Sequence, residues 1–261
     1  LLKIWSDICD WQSLKNTCYW LEELISEEVA IDPLALCYLE DDPFKDFIRA
    51  KNLYKKKYFR EEKSLKLNPK TKIRIGYFSK NFESHSVMVV FTRIIELHDK
   101  DKFEVYCYDF GDHKEDTYTK RIKKAADQYK TVKGLNDIEL INSAREDDLD
   151  IGIDLMGYSY GNRAIIFSER IAPIQINFLD WPCTTGNPSI DYIIADKTLI
   201  PVKDEKYFTE KIIRMDYSYM PNDDTLESSQ KIFRRKDLGI DEDSFVFCCF
   251  SKSRKIQLKE F

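Results

Sequence analysis

From Ile73 onward, short apolar runs alternate with segments whose apolar residues recur at helical spacing, and few folds admit that alternation. Residues 73–79 (IRIGYFS) read as a strand. Val87, Val90, Phe91 and Ile94 then fall on one face of a helix that starts near Ser86. Residues 103–110 (FEVYCYDF) read as the second strand and 117–128 as a helix rich in Lys and Ala. A short edge strand at 129–132 and a helix near 137–147 follow. Further strands are predicted at 151–156, 174–179, 191–196 and 211–215, with a helix at 162–171. Strands joined through crossover helices make a mostly parallel, doubly wound sheet covered on both faces. The expected fold class is α/β, Rossmann-like.

The flanks read differently. Residues 1–66 form a helical lead-in, with Trp20, Leu21, Leu24 and Ile25 as one apolar stripe. Asp42 before Pro43 is a helix start, and Phe44, Phe47 and Ile48 begin its apolar face. A polar, Lys-rich stretch at 61–72 separates this part from the sheet domain, which we bound at 67–221. A polar linker opens the last segment, 222–261, where 245–251 (FVFCCFS) reads as a buried strand beginning a second lobe cut off at Phe261. Because the chain begins at Leu1 rather than Met, excision from a longer protein is the expectation.

Composition narrows the function classes. The 41 basic residues are scattered among 46 acidic ones, for a net charge of −5, so no nucleic-acid footprint is visible. Lys55, Lys56 and Lys57 read as a solvated helix face. No apolar run approaches the roughly 18 residues needed to span a bilayer. The seven Cys are odd in number and show no metal-like spacing, and Cys248 and Cys249 read as buried thiols. A reducing, cytoplasmic setting fits this pattern.

Three strand ends carry unusual loops, and in open α/β sheets ligands bind at the carboxyl ends of strands. After the first strand, residues 79–86 (SKNFESHS) put His85 beside a helix N-terminus, where free N–H groups favour an anion and a His can relay a proton. His98 and His113 follow no such turn and are assigned ordinary surface roles. Residues 156–163 (MGYSYGNR) place two Gly around Tyr158 and Tyr160, offering tight backbone and flat polar-tipped rings. After 174–179, the run stops at Asp180-Trp181-Pro182-Cys183-Thr184-Thr185-Gly186, a rigid turn. Asp148 and Asp150 form an Asp-x-Asp, but they precede their strand and so lie at the wrong end of the sheet for a catalytic metal. Walker and GxGxxG signatures are not found.

The series RIGYFSKNFESHSV, DKFEVYCYDF, DIGIDLMGYSYGNR, RIAPIQINFLDWPCTTG and SIDYIIADKTLIP resembles the catalytic region of the O-linked N-acetylglucosamine transferases and SPINDLY-type protein O-glycosyltransferases. FVFCCFSKSRKI is similar to the opening of that family's second lobe. The resemblance implies one lobe of a two-lobed, GT-B glycosyltransferase, preceded by tetratricopeptide helices. It implies inverting transfer of a sugar, N-acetylglucosamine from a UDP donor, to Ser or Thr of a protein or peptide acceptor, without a metal or other cofactor. The donor-binding lobe with its phosphate-binding Lys would lie beyond Phe261, leaving the 261 residues inactive alone.

Carried over by position, His85 matches the family's active-site His, and Asn81 stands in the same loop where the family has Asp. Tyr158 and Arg163 match the Gly-Tyr loop and the helix after it. Leu179, Asp180, Trp181 and Pro182 match a Leu-Gly-Tyr-Pro turn near sugar and acceptor. Asn81, which has no carboxylate, and Asp180, where Gly is usual, are read as damage: the second would crowd and repel a donor. Cys183 also replaces a Gly or Asn. The family's His on the preceding helices has no counterpart in residues 32–35. The alternative reading is a catalytically weak homologue that binds protein segments.

Overall fold

The computed structural model describes residues 2–17, 33, 36–37, 39–61, 63–252 and 255. The Trp20, Leu21, Leu24 and Ile25 stripe lies outside them, as do Asp32, Leu34 and Ala35. The chain divides into two units: Tyr19–Asp223, and Leu1–Cys18 together with Asp224–Phe261.

In the second of these units, α1 (Leu2–Asp7) and α2 (Trp11–Thr17) are short helices. The C-terminal part has one 3-10 turn, Arg235–Leu238, as its regular structure among the described residues. The buried strand expected at 245–251 is not formed. Phe245, Phe247 and Phe250 are 82%, 90% and 97% exposed, and Cys248 and Cys249 are exposed thiols. A strand persists through ladder bonds to a neighbour and burial of a face, and no strand among the described residues pairs with this one.

The larger unit opens with α3 (Pro43–Leu53), capped by the Asp42 carboxylate, which accepts N–H groups of Phe44 and Lys45 at 3.0 and 3.1 Å. A π-turn, Tyr54–Tyr58, ends it with its three Lys exposed. Then come β1 (Ile73–Ser79), α4 (Ser86–Leu97), β2 (Phe103–Asp109), α5 (Thr117–Ala125), β3 (Gln128–Thr131), α6 (Asp137–Glu146), β4 (Ile151–Asp154), α7 (Ala164–Ser168), β5 (Ile174–Asn177), β6 (Tyr192–Ala195) and β7 (Lys211–Arg214). The sheet order is β3-β2-β1-β4-β5-β6-β7, and every pairing is parallel.

Side-chain alternation along the strands sorts the core into two layers. Ile75, Tyr77, Val105, Cys107, Ile153 and Ile176 pack with Val87, Met88, Phe91 and Ile95 of α4 and Ile122 of α5. Phe78, Tyr106 and Tyr108 point the other way, onto Leu140, Ile141 and Ala144 of α6 and Ile166 and Phe167 of α7. Each such large apolar side chain contributes on the order of 1.5–3 kcal/mol by leaving water. The helix expected at 162–171 shrinks to α7, because Arg170 turns into left-handed backbone at φ +55 and redirects the chain into β5.

α3 belongs with the sheet rather than with a separate helical segment. Leu53 joins Tyr158, Ala164 and Trp181 in one apolar cluster. Gly186, at φ +63, lets this helix approach: a Cβ there would meet the Lys51 nitrogen at 2.5 Å and the Ala50 carbonyl carbon at 2.6 Å.

Candidate active site

The strand order places the site. The chain runs β1, β2, β3 in one direction, then resumes with β4 on the far side of β1. That reversal is a topological switch point, and the loops after β1, β4 and β5 lie beside one another at its carboxyl edge. His85, Tyr158 and Pro182 therefore follow neighbouring parallel strands.

His85 is the N-cap of α4: its Nδ1 accepts the Val87 N–H at 3.3 Å. In the neutral ring this leaves the proton on Nε2. The other two His are not ordinary surface residues. His98 is half-buried, its Nε2 2.8 Å from the Tyr77 hydroxyl, and desolvation pulls its pKa down. The His113 side chain is only 6% exposed and lies against Asp109, which also accepts the Tyr129 hydroxyl at 2.6 Å.

Asn81 is buried and its amide donates to the Met156 sulfur at 3.4 Å, fastening the loop after β1 to the end of β4. Its side chain is buried and not on the open surface of the loop. A carboxylate does stand near His85, and it is that of Asp180. Burial raises its pKa, while a hydrogen bond from Ser159 and the charges of His85 and Lys80 lower it. Its own position is held under strain. Leu179 has φ +82, and the Asp180 N–H reaches back to the Phe178 carbonyl at 3.3 Å, closing a γ-turn.

Tyr158, Leu179 and Trp181 are buried and serve as packing between loops. The Tyr158 hydroxyl donates to the Thr185 carbonyl at 2.6 Å, and its ring stacks on Tyr58 and meets Trp181 edge-on. The Trp181 indole N–H donates to the Thr184 carbonyl at 3.1 Å. Arg163 is committed to an ion pair with Asp137, 2.6 Å away. The loop's exposed ring is Tyr160, over which the Lys80 ammonium sits at 4.4 Å. Pro182 lines a cavity of about 190 Å3 with Asp41, Thr184 and Tyr207.

The structure adds residues that sequence reasoning missed. Asp154 closes β4, and its carboxylate accepts the Met156 N–H at 2.8 Å. Burial pushes its pKa up to about 7 against the pull of that bond and of the Gly157 N–H, with the charge of Asp180 adding to the rise. Its place at the end of an apolar run is the signal the sequence carries for it. Asp148 and Asp150 lie at the opening of β4 and pair with Lys70. Glu210 is buried and takes the Thr184 hydroxyl at 2.6 Å, the Thr185 N–H at 2.7 Å and the Thr185 hydroxyl, clamping the turn from 25 residues away. No local pattern signals it.

An all-parallel sheet with polar groups gathered at its switch point defines a Rossmann-like lobe. The model of glycosyl transferase family 41 matches residues 47–227. A probable UDP-N-acetylglucosamine–peptide N-acetylglucosaminyltransferase SEC of Arabidopsis thaliana is 30% identical over 71% of this chain and 19% of its own length. The corresponding enzyme of Caenorhabditis elegans is 31% identical over 58% of the chain and 13% of its own. A mutant O-GlcNAc transferase of Thermobaculum terrenum superposes with a TM-score of 0.66 at 31% identity, over 72% of this chain and 37% of that one. The chain belongs to glycosyl transferase family 41, and its sheet is one lobe of that GT-B architecture. Among the described residues, no helix is long and apolar enough to cross a membrane.

Proposed function

We propose that this chain supplies the acceptor-side lobe of a protein O-glycosyltransferase, transferring N-acetylglucosamine from UDP-N-acetylglucosamine to Ser or Thr of a protein or peptide. The relatives' names specify that donor and a peptide acceptor. The acceptor oxygen bonds to the anomeric carbon as the bond from that carbon to the phosphate oxygen breaks. The nucleoside diphosphate leaves with the electron pair, and the hydroxyl proton passes to a base or water. No metal enters this transfer. The donor's phosphates are assigned to surface outside these residues, so the 261 residues alone are expected to turn over no nucleotide sugar.

The observation that carries the reading is the placement of His85, the N-cap of α4, and the partly buried Asp180 carboxylate at one switch-point edge, near enough for the charge of His85 to lower the Asp180 pKa. Asp180 supplies the carboxylate that Asn81 lacks. The two departures from the family pattern then compensate one another, instead of both being damage. His85 contacts the reacting sugar or relays a proton, and Asp180 places a negative charge near it. A second reading, a weak enzyme that binds peptides, draws on the buried, uncharged Asn81.

Mass spectrometry separates the two readings. The full-length gene product is incubated with a panel of nucleotide sugars and Ser/Thr peptides. Peptide carrying a new N-acetylhexosamine supports transfer, whereas peptide retention without product from any donor supports the binding reading.

A further inference from the structure

Cys37 and Cys183 are 146 positions apart in sequence, yet their sulfurs lie 3.8 Å from each other. The carboxylate of Asp46, in the first turn of α3, joins them, and one ligand atom from each of the three residues falls within 4.8 Å of the others. The proposed transfer uses none of the three.

The separation is informative. A disulfide holds its sulfurs about 2.05 Å apart. Two thiolates on a tetrahedral zinc sit about 2.3 Å from the ion, so they span an edge of about 3.8 Å. The donor set points the same way. Two soft sulfurs with one carboxylate suit zinc and its neighbours, whereas magnesium and calcium take oxygen ligands. Cys183 and Asp46 also line the cavity beside Pro182, whose roughly 190 Å3 leaves room for a water as fourth ligand.

We propose that Cys37, Cys183 and Asp46 bind one zinc-class divalent cation, with the fourth position open to water from this cavity. The three ligands come from the segment before α3, from α3 itself and from the turn after β5. The cation therefore ties α3 to the turn that carries Asp180 and Pro182. Binding releases the two thiol protons to solvent and moves no electrons.

The test uses the reduced, metal-free chain with C248S and C249S, which removes the exposed adjacent thiols. Co2+ is titrated and read by its visible d–d band and by sulfur-to-cobalt charge transfer, then displaced with Zn2+. The expected result is one Co2+ per chain with the charge-transfer intensity of two thiolates, displaced by one equivalent of Zn2+. Cys37→Ser and Cys183→Ser each halve that intensity and weaken Zn2+ about 100-fold or more, while Asp46→Asn keeps the intensity and weakens binding about tenfold or more. Intensity on the unsubstituted ligand set does not depend on whether a variant folds. A folded, reduced chain that takes up no cation overturns the proposal. So does uptake that none of the three substitutions changes, or a Cys37–Cys183 disulfide whose reduced form binds no metal.

Discussion

At the scale of single residues, the site is governed by two carboxylates in different surroundings. Asp154 is buried, and that burial pushes its pKa up to about 7, well above the 3.8 of an ordinary Asp. Between those values the folded chain holds a proton that the unfolded chain has released. Stability contributed through Asp154 is therefore lost as pH rises from about 4 to about 7, and changes no further above that. The upper bound on this loss is about 4 kcal/mol. Asp154→Asn keeps an acceptor for the Met156 N–H and removes the titration. Urea unfolding at pH 4 and pH 8 should show the variant gaining on the parent at the higher pH, and an unchanged difference would contradict the buried, proton-holding Asp154.

Asp180 has a different task, since His85 and Lys80 face it. Asp180→Asn should lower transfer by roughly tenfold with little change in KM for the donor, because the negative charge near His85 is lost and not donor affinity. Asp180→Gly, the residue usual in the family, should be no better than Asn. A rise in transfer on changing Asp180→Gly would restore the view that this carboxylate repels the donor.

At the scale of elements, two loops lock against each other at a glycine. Gly157 has φ +51, and a Cβ there would meet the Trp181 Cβ at 2.2 Å and Cγ at 2.4 Å. Gly157→Ala combines left-handed strain with that clash and should cost about 2 kcal/mol or more in thermal or urea unfolding. Glu210→Ala strands the Thr184 and Thr185 donors and should cost a similar amount, about 2–4 kcal/mol. A Glu210→Ala stability within about 0.5 kcal/mol of the parent would show that the turn does not depend on its clamp.

The strands were legible because their apolar runs are short and end at turn residues. Ile73–Ser79 stands at the predicted bounds, and α4 begins where its His85 cap is placed. What stayed hidden depends on distant partners. Phe245, Phe247 and Phe250 carry a strand's pattern but have no neighbour to pair with among the described residues. Tyr158 and Trp181 look like ligand rings in sequence, yet their polar atoms are taken up by the carbonyls of Thr185 and Thr184. The approach of Cys37 to Cys183 likewise exists only in three dimensions.

At the scale of the molecule, the switch point between β1 and β4 turns a parallel sheet into a site. It brings the His85 loop, the Gly157 loop and the Asp180 turn to one edge, with α3 packed beneath the last of these through Leu53. In the function proposed above, this edge serves sugar transfer to protein hydroxyls through His85. The direct measurement is mass-spectrometric detection of N-acetylhexosamine on a Ser/Thr peptide, using UDP-N-acetylglucosamine and the full-length gene product with His85 or with His85→Ala. Modified peptide is expected from the unsubstituted protein, with a loss of about 100-fold or more in rate on His85→Ala, both proteins being equally folded. Transfer that proceeds undiminished with His85→Ala would contradict that function.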